Sequence, residues 1–310
     1  MTTAEPHRAV TVRAPAKVNV ELRVGPRRPD GYHDLATVYM AVGLYDEVTV
    51  TPSPDWEVLV TGPYAQDVPT DAGNLAVRAG QLLADSADRH EAAAVRITKD
   101  IPVAGGMAGG SADAAATLLA LDALWGLHHD REVLGQLAAE LGSDVPFVLH
   151  GGISMGSGRG ERLAPVLARG SYQWVFAVAE EGLSTPAVYA ECDRLRGDEP
   201  VQAPEVSSDM MTALRSGDPA ALGRALANDL QEAAISLQPP LRGVLDAGLE
   251  FGALGGVVSG SGPTVAFLTS SSEHALDLCV ALTASGVARE VKRAKGPVHG
   301  AALVTGGRRD

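Results

Sequence analysis

The sequence is poor in cysteine, in aromatic residues and in positive charge, and each shortage excludes a class of protein. Two cysteines occur in 310 residues, Cys192 and Cys279, without a Cys-x-x-Cys spacing, so neither a disulfide framework nor a cysteine zinc site is supported. Aromatic residues make up 4% of the chain, which argues against a stacking platform for single-stranded nucleic acid. The 25 basic and 38 acidic residues give a net charge of −13. A general binder of nucleic acid or of anionic lipid is therefore not expected.

Long hydrophobic runs are also missing. No stretch approaches the roughly 18 apolar residues of a membrane helix, and the N-terminal stretch MTTAEPHRAVTVRAPAK has no apolar signal-peptide core. We therefore expect a cytoplasmic protein with no membrane association. Apolar residues make up 45% of the chain and charged residues 20%, which is typical of a globular protein with a core. The length suggests about two domains.

The order of the local patterns predicts an α+β protein rather than a doubly wound sheet, because runs of strands are followed by runs of helices twice over. Strand patterns cover 9–24 (interrupted by Pro15), 38–50, 56–61, 94–98, 172–179, both sides of a Gly-Ser turn within 256–268, and a segment ending near 304. Helical patterns cover 71–84, 111–126, 131–141, 185–195, 206–216, 219–237, 240–250 and 272–286. The glycine-rich stretch 151–160 predicts a hairpin. Asp71 or Asn74 is a possible cap of the first helix, and Gly142 ends the third.

The most informative stretch is the glycine-rich segment from Pro102 to Ala116, which follows a strand pattern and opens a helix. Its glycines permit positive φ and a close approach of the backbone to a ligand. Ser111 is the predicted N-cap, and the helix behind it offers free N–H groups and a positive dipole end. Together these features predict a phosphate cradle, although a plain turn before a capped helix has the same composition. A Gly-Lys-Ser/Thr sequence is absent, and the Gly-x-Gly-x-x-Gly spacing fails, so neither a Walker A loop nor a dinucleotide fingerprint is present.

Four stretches, in this order along the chain, resemble the motifs of the GHMP kinases. They are 14–19 (Ala-Pro-x-Lys-x-Asn), the loop 102–112 (Pro-x-x-x-Gly-Leu-Gly-Gly-Gly-Ser-Ser), 141–147 (the stretch with the catalytic Asp) and 256–265 (a third, glycine-rich loop). The chain departs from the loop motif at Ala108, where a positive φ would be strained, and at Ala112, where a hydroxyl is lost. The resemblance implies two domains, an ATP-binding domain over 1–167 that resembles a ribosomal protein fold and a ferredoxin-like α/β sandwich over 168–310.

The resemblance also implies a site in the cleft between the domains. Asp144 would be the base for an alcohol acceptor and Lys17 would stabilise the developing alkoxide, while Mg²⁺ would be carried by ATP and no protein metal site is expected. Ser111 would contact a phosphate or the metal. The residues implied for ATP binding are Asn74, Pro102, Gly105, Gly106, Met107, Ala108, Gly109, Gly110 and Ser111. The residues implied for substrate binding are Asn19, Tyr32, His33, Asp144, Thr185, Tyr189, Gly260, Ser261 and Gly262.

Three further stretches resemble one subfamily, whose small-molecule substrate carries a cytidine diphosphate group. They are 28–33 (Arg-Pro-Asp-Gly-Tyr-His), 71–75 (with its Asn-Leu pair) and 185–189 (Thr-Pro-Ala-Val-Tyr). By this resemblance Tyr32 and Tyr189 would sandwich the cytosine ring and His33 would hydrogen-bond its polar edge. ATP would phosphorylate the 2-hydroxyl of the substrate's methylerythritol unit, in the non-mevalonate route to isoprenoid precursors.

Other interpretations stay open at this point. Each of these residues also has an ordinary structural interpretation when it is taken singly. Lys17 could be a solvated charge at a strand edge, and Asp144 could be an N-cap. Tyr32 could anchor a loop, His33 could be a surface imidazole, and Tyr189 could be a core residue. Another GHMP kinase, for homoserine or a mevalonate derivative, and a non-catalytic nucleotide sensor are alternatives for the whole chain. A nucleic-acid module is a third alternative that the net charge opposes. The oligomeric state cannot be read from the sequence.

Overall fold

The computed structural model describes residues 9–304, so the first eight residues and 305–310 lie outside it. Within residues 9–304, twelve strands form two sheets. The strands are β1 Val10–Arg27, β2 His33–Ser53, β3 Glu57–Thr61, β4 Ala92–Thr98, β5 Ile153–Gly158, β6 Arg162–Pro165, β7 Tyr172–Val178, β8 Ala227–Asn228, β9 Gly255–Val258, β10 Val265–Thr269, β11 Glu290–Gly296 and β12 Ala302–Leu303. The α-helices are α1 Leu75–Ser86, α2 Gly109–Trp125, α3 Arg131–Leu141, α4 Val145–His150, α5 Thr185–Arg196, α6 Ser208–Ser216, α7 Pro219–Ala225, α8 Gln231–Leu237, α9 Pro240–Glu250 and α10 Ser272–Ser285.

The first sheet has eight strands and is built around the long antiparallel pair β1 and β2. Its main path runs β12-β1-β2-β4-β3, the hairpin β5-β6 joins β2, and β8 lies parallel to β1. Pro15 does not end β1, because the register with β2 shifts between Pro15 and Ala16 and so places the proline at an irregularity of the ladder. Helix α2 packs on β1 and β2 with α1 beside it. This packing holds α2, whose start follows the glycine-rich segment, against the two longest strands of the sheet.

The second sheet has the strand order β11-β7-β10-β9, and every neighbouring pair is antiparallel. In chain order the unit reads strand, helices, two strands, helix, strand, which is the ferredoxin-like arrangement expected from the resemblance. The expected domain boundary at 167/168 falls between β6 and β7 and stays a prediction. The short strands β8 and β12 come later in the chain but join the first sheet.

The two sheets share one continuous core. Trp174 and Phe176 of β7 belong to the same buried cluster as Val18 of β1 and Leu118 of α2. A second cluster, centred on Phe267 and Leu245, fills the other side of the β7 sheet. The cleft that carries the predicted site therefore lies between two units that are packed together. Within residues 9–304, no helix has the length and apolar composition needed to cross a bilayer.

The prediction of one continuous helix over 219–237 is wrong. Helix α7 ends at Ala225, the backbone at Leu226 is extended, and the chain pairs with β1 before α8 begins. Asn228 explains the break, because its amide Nδ2 donates to the carbonyls of Val258 and Gly260, at 2.7 Å each. Its Oδ1 accepts from the N–H of Leu230 at 2.8 Å. These bonds compete with helix continuation.

Strand β11 and helix α4 are among the elements that were not predicted. Strand β11 has the sequence EVKRAKG, and only Ala294 and Gly296 in it are buried, so it lacks an apolar alternation. Helix α4 has only six residues, too short for a helical period to be recognised, and begins directly after Asp144.

Candidate active site

A cleft of about 700 Å³ lies where the two sheets meet, and most of the predicted site residues line it. These are Lys17, Asn19, Tyr32, His33, Pro102, Gly105, Gly106, Ala108, Gly109, Gly110, Ser111, Asp144, Thr185, Tyr189, Gly260 and Ser261. Three predicted residues do not line it, namely Asn74, Met107 and Gly262. Asn74 caps α1, with Oδ1 accepting from the N–H of Ala76, and the side chain of Met107 is fully buried in the core. Any contact of Met107 with a ligand is therefore limited to its backbone.

The phosphate loop, residues 102–108, enters α2 through a left-handed residue. Ala108 has φ 62° and ψ 33° and occupies the N-cap position, so the positive φ considered from the sequence is adopted by an alanine. The prediction that Ser111 is the N-cap is wrong. The turn at Ala108 starts the helix at Gly109, which places Ser111 inside the first turn. The first-turn N–H groups of Gly109, Gly110 and Ser111 have no intrahelical acceptor and stand at the cleft. This is the anion-binding arrangement of a helix N-terminus.

The tip of the third loop, residues 259–263, packs against the phosphate loop. The hydroxyl of Ser259 donates to the carbonyl of Gly106 at 3.0 Å. A Cβ added at Gly106 would stand 1.9 Å from the Ser259 carbonyl oxygen, and φ there is +73°. Only glycine therefore allows the two loops to come this close.

Lys17 lies on β1 with its side chain almost fully buried, so it is not a solvated strand-edge charge. Its ammonium donates to Asn19 Oδ1 at 2.5 Å and to the carbonyl of Gly106 at 2.9 Å. Nζ also stands 3.6 Å from Oδ2 of Asp144. Asn19 is held in turn, since its Nδ2 donates to Thr37 Oγ1 at 2.9 Å. The ammonium is thereby fixed between the phosphate loop and a carboxylate.

Asp144 stands at the N-terminus of α4, but its side chain makes no capping bond, so the simple capping role does not account for it. Its side chain is 29% exposed and lines the cleft. The ring of Tyr39 lies under the Lys17 ammonium, 5.8 Å from Nζ to the ring centroid. Burial, and then the charge of Asp144, raise the pKa of the Tyr39 hydroxyl well above its ordinary value. Tyr39 therefore stays protonated beside the carboxylate.

The other end of the cleft holds an aromatic pocket. His33 is buried, not a surface imidazole, and its ring stacks on Tyr189 at 5.2 Å between centroids with 25° between the planes. Tyr189 is half-buried, and burial followed by the charge of Asp144 raises its pKa. Tyr32 is 54% exposed. The side chain against the Tyr32 ring is Arg159, whose guanidinium carbon lies 5.1 Å from the centroid.

Two residues of this pocket were missed by the sequence reasoning. Asp193 Oδ1 lies 2.8 Å from His33 Nε2, and Asp193 follows Tyr189 by one helical turn, a spacing that places both on one face of α5. This four-residue spacing could have identified Asp193 from the sequence. Arg159 lies in the β5–β6 turn, and nothing in its local sequence singles it out. At the start of α5, Thr185 Oγ1 lies 2.8 Å from Ser261 Oγ, which ties the pocket to the third loop.

The residues at the cleft fit a magnesium ion that is carried by a nucleotide. Among the described residues, no group of three or more His, Cys, Asp or Glu side chains is placed to hold a metal ion. Magnesium commonly keeps several waters and binds through substrate phosphates. The phosphate cradle and the adjacent Asp144 are compatible with that mode.

Comparison with known proteins gives consistent matches over nearly the whole chain. The family description "GHMP kinases N terminal domain" matches residues 74–152, and "GHMP kinases C terminal" matches 210–288. A 4-diphosphocytidyl-2-C-methyl-D-erythritol kinase of Mycolicibacterium smegmatis is 54% identical over 298 residues, which is 96% of this chain and 92% of that protein. The protein of the same name from Nocardia farcinica is 54% identical over 95% of this chain and 96% of its own length.

A solved structure supports the same assignment. The crystal structure of a 4-(cytidine 5'-diphospho)-2C-methyl-D-erythritol kinase is 32% identical, with a TM-score of 0.74, and covers 93% of this chain and 99% of its own. The α+β fold class is thereby confirmed. With its loops, its cleft and its relatives in agreement, the chain belongs to the 4-diphosphocytidyl-2-C-methyl-D-erythritol kinases of the GHMP kinase family.

Proposed function

We propose that the cleft transfers the γ-phosphate of ATP to the 2-hydroxyl of 4-diphosphocytidyl-2-C-methyl-D-erythritol. The products are ADP and the 2-phosphate, an intermediate of the non-mevalonate isoprenoid route. The observation that carries the proposal is the position of Lys17, whose Nζ contacts the phosphate-loop carbonyl of Gly106 and faces Asp144. The Lys17 ammonium thus lies between the expected position of a nucleotide phosphate and the expected position of the acceptor hydroxyl.

ATP binds through the phosphate loop and the start of α2. The free N–H groups of Gly109, Gly110 and Ser111 and the positive helix end offset the charge of the phosphates. The nucleotide phosphates and the Ser111 hydroxyl would hold Mg²⁺, which would neutralise further negative charge when bound. Gly105 and Gly106 leave the space that close approach of the phosphates requires.

The acceptor hydroxyl is activated at Asp144. Phosphoryl transfer depends on positioning and charge neutralisation, and the alcohol proton needs an acceptor as the new bond forms. Asp144 takes that proton, because its carboxylate lines the cleft and is free of a capping role. An ammonium has three N–H donors, and Lys17 uses two of them on Asn19 and Gly106. The third is available to the transferred phosphoryl oxygens or to the attacking oxygen. Asn19, which the resemblance places among the substrate-binding residues, therefore also orients Lys17.

The aromatic pocket binds the cytidine end of the substrate. Asp193 Oδ1 is placed to accept the Nε2–H of a neutral His33, and in that tautomer Nδ1 is a hydrogen-bond acceptor. An acceptor at this position suits the exocyclic amino group of cytosine and not the carbonyl of uracil. Stacking of the base between Tyr189 and Tyr32 adds roughly 1–3 kcal/mol for the base. Arg159, against Tyr32, supplies positive charge for the diphosphate of the substrate.

An acceptor panel tests the proposal. ADP release from Mg-ATP is measured with the cytidyl substrate and, in parallel, with homoserine and with mevalonate. We expect turnover with the cytidyl substrate alone. Turnover with another acceptor instead would retain the kinase and reject this substrate, and tight ATP binding without any turnover would support a nucleotide sensor.

A further inference from the structure

Beneath the phosphate loop lies a buried group of three ionisable side chains that takes no part in the phosphoryl transfer proposed for the cleft. Lys99, directly after β4, is 1% exposed, Asp46 of β2 is fully buried, and Asp113 of α2 is 3% exposed. Lys99 Nζ donates to Asp46 Oδ2 at 2.5 Å and to Asp113 Oδ2 at 2.7 Å. Burying three ionisable groups is costly, and an apolar set of similar volume often gives equal or greater stability. Stability alone therefore does not explain the group.

Asp46 holds the entrance of the phosphate loop. Its Oδ1 accepts the backbone N–H of Asp100 at 2.7 Å and of Ile101 at 2.9 Å. These are the two residues directly before Pro102, where the loop begins. The Asp46 carboxylate thus joins the middle of the first sheet to the first end of the loop through two backbone bonds and one ammonium.

Asp113 holds the exit of the loop. It lies in the second turn of α2, two residues after Ser111, and its Oδ2 accepts from the same ammonium. Its other oxygen, Oδ1, is buried without a hydrogen-bond partner. Lys99 packs directly under the first residue of the helix, since a Cβ added at Gly109 would stand 2.9 Å from Nζ. One ammonium therefore connects both ends of the loop at its base.

We propose that Lys99, Asp46 and Asp113 are positioning residues for ATP, which set the distance and angle between the two ends of the phosphate loop. The loop backbone is strained, with positive φ at Ala104 (51°) and at Ala108 (62°). Such conformations persist where the surroundings fix them. Because both ends of the phosphate loop are fixed, the N–H groups in the first turn of α2 keep the geometry that the ATP phosphates require. The inference rests on the phosphate-binding role of this loop in the proposed function.

Calorimetric titration of Mg-ATP into the full chain tests this inference, with Asp113→Leu as the disruptive variant. We expect its Kd for Mg-ATP to rise at least about tenfold and its kcat to fall, because small misplacements near phosphoryl groups are costly. Its KM for the cytidyl substrate should stay within about threefold. Asp113→Asn retains an oxygen acceptor for Lys99 and should bind Mg-ATP nearly as well as the unaltered chain.

Asp122→Leu is the matched control. Asp122 is a second buried aspartate of α2, at the far end of the helix, where its carboxylate bonds His129. Its loss should lower stability without changing the Kd for Mg-ATP. Should Asp113→Leu not fold, the triple variant Lys99→Met, Asp46→Asn, Asp113→Leu leaves no unpaired interior charge and is measured instead.

A folded Asp113→Leu or triple variant with unaltered Mg-ATP affinity would overturn the inference. So would an equal loss of affinity in Asp122→Leu, since the effect would then follow stability. Because the titration involves no acceptor, a failure of the proposed substrate is seen separately, as lack of turnover in the unaltered chain.

Discussion

The Nζ atom of Lys17 stands 3.6 Å from Oδ2 of Asp144 and 2.9 Å from the carbonyl oxygen of Gly106. The two residues are 127 positions apart in the sequence, on β1 and before α4, and the fold brings them to one end of the phosphate loop. An acceptor oxygen that reaches Asp144 is therefore also next to the cation that faces the phosphates.

Asp144→Asn should reduce kcat by about 10²–10⁴-fold, because the amide cannot take the proton of the acceptor hydroxyl. Substrate KM should change little, since the side chain volume and the cleft are retained. Steady-state kinetics with both substrates varied would check this. Turnover close to normal in the folded variant would remove Asp144 from the role of base.

Asp193→Asn should raise KM for the cytidyl substrate about 3–10-fold and leave KM for ATP unaltered. The amide can donate as well as accept, so Nε2 of His33 no longer has to carry the ring proton. Glu191→Gln is the control, since Glu191 lies on the same helix but pairs with Arg194. An equal KM in the two variants would argue against recognition through His33.

Tyr32→Ala should mainly raise KM for the cytidyl substrate, by a factor that corresponds to roughly 1–3 kcal/mol of stacking. The ring is 54% exposed at the edge of the cleft, so its removal should cost little stability. Substrate titration and thermal unfolding of the same preparation separate the two effects. An unchanged KM would contradict the expected sandwich of the cytosine ring.

Gly106→Ala should lower the free energy of unfolding by roughly 2–4 kcal/mol, because it combines a left-handed φ with overpacking against Ser259. Gly110→Ala is the matched comparison, since an added Cβ there meets nothing within 4 Å. In the first turn of α2 that alanine should stabilise by up to about 1 kcal/mol. Urea unfolding of both variants measures the difference. Similar stabilities would show that the two loops are not in the close contact described.

Asp113 gives the stability a pH dependence of known sign. Burial, and then the nearby charge of Asp46, raise its pKa to about 8 in the folded chain, against an attractive effect of Lys99. A carboxyl with a raised folded pKa contributes its full stabilisation below the unfolded pKa near 4, and loses it as the pH rises towards 8. The stability of the unaltered chain relative to Asp113→Asn should therefore fall by up to about 1.4 kcal/mol per pH unit in that window. Parallel pH profiles of the two proteins would contradict the buried, protonated carboxyl.

Much of the site could be predicted from the sequence because its motifs are local. The phosphate loop, the strand with Lys17 and the turn before Tyr32 each carry their chemistry within a few residues. What could not be predicted depends on distant partners. In the sequence nothing connects Lys99 with Asp46 and Asp113, which contact it only in the folded chain. In the same way, only the fold places Arg159 against the ring of Tyr32.

The errors in secondary structure have a similar origin. Residues 219–237 favour helix throughout by local composition, yet the bonds of Asn228 to the third loop impose an extended segment. Ser111 has the right chemistry for an N-cap, but the left-handed turn at Ala108 begins the helix before it. At 219–237 tertiary contacts of the site therefore override the local preference, and at Ser111 the preceding backbone turn does so.

Phosphorus NMR of the product tests the central claim most directly. Carbon 2 of the methylerythritol unit carries a methyl group and no hydrogen. A phosphate transferred from ATP to the 2-hydroxyl should therefore give a monoester resonance without three-bond coupling to a proton. A monoester split by one or two neighbouring protons would place the phosphate on another hydroxyl, and would contradict the positioning of the acceptor between Lys17 and Asp144.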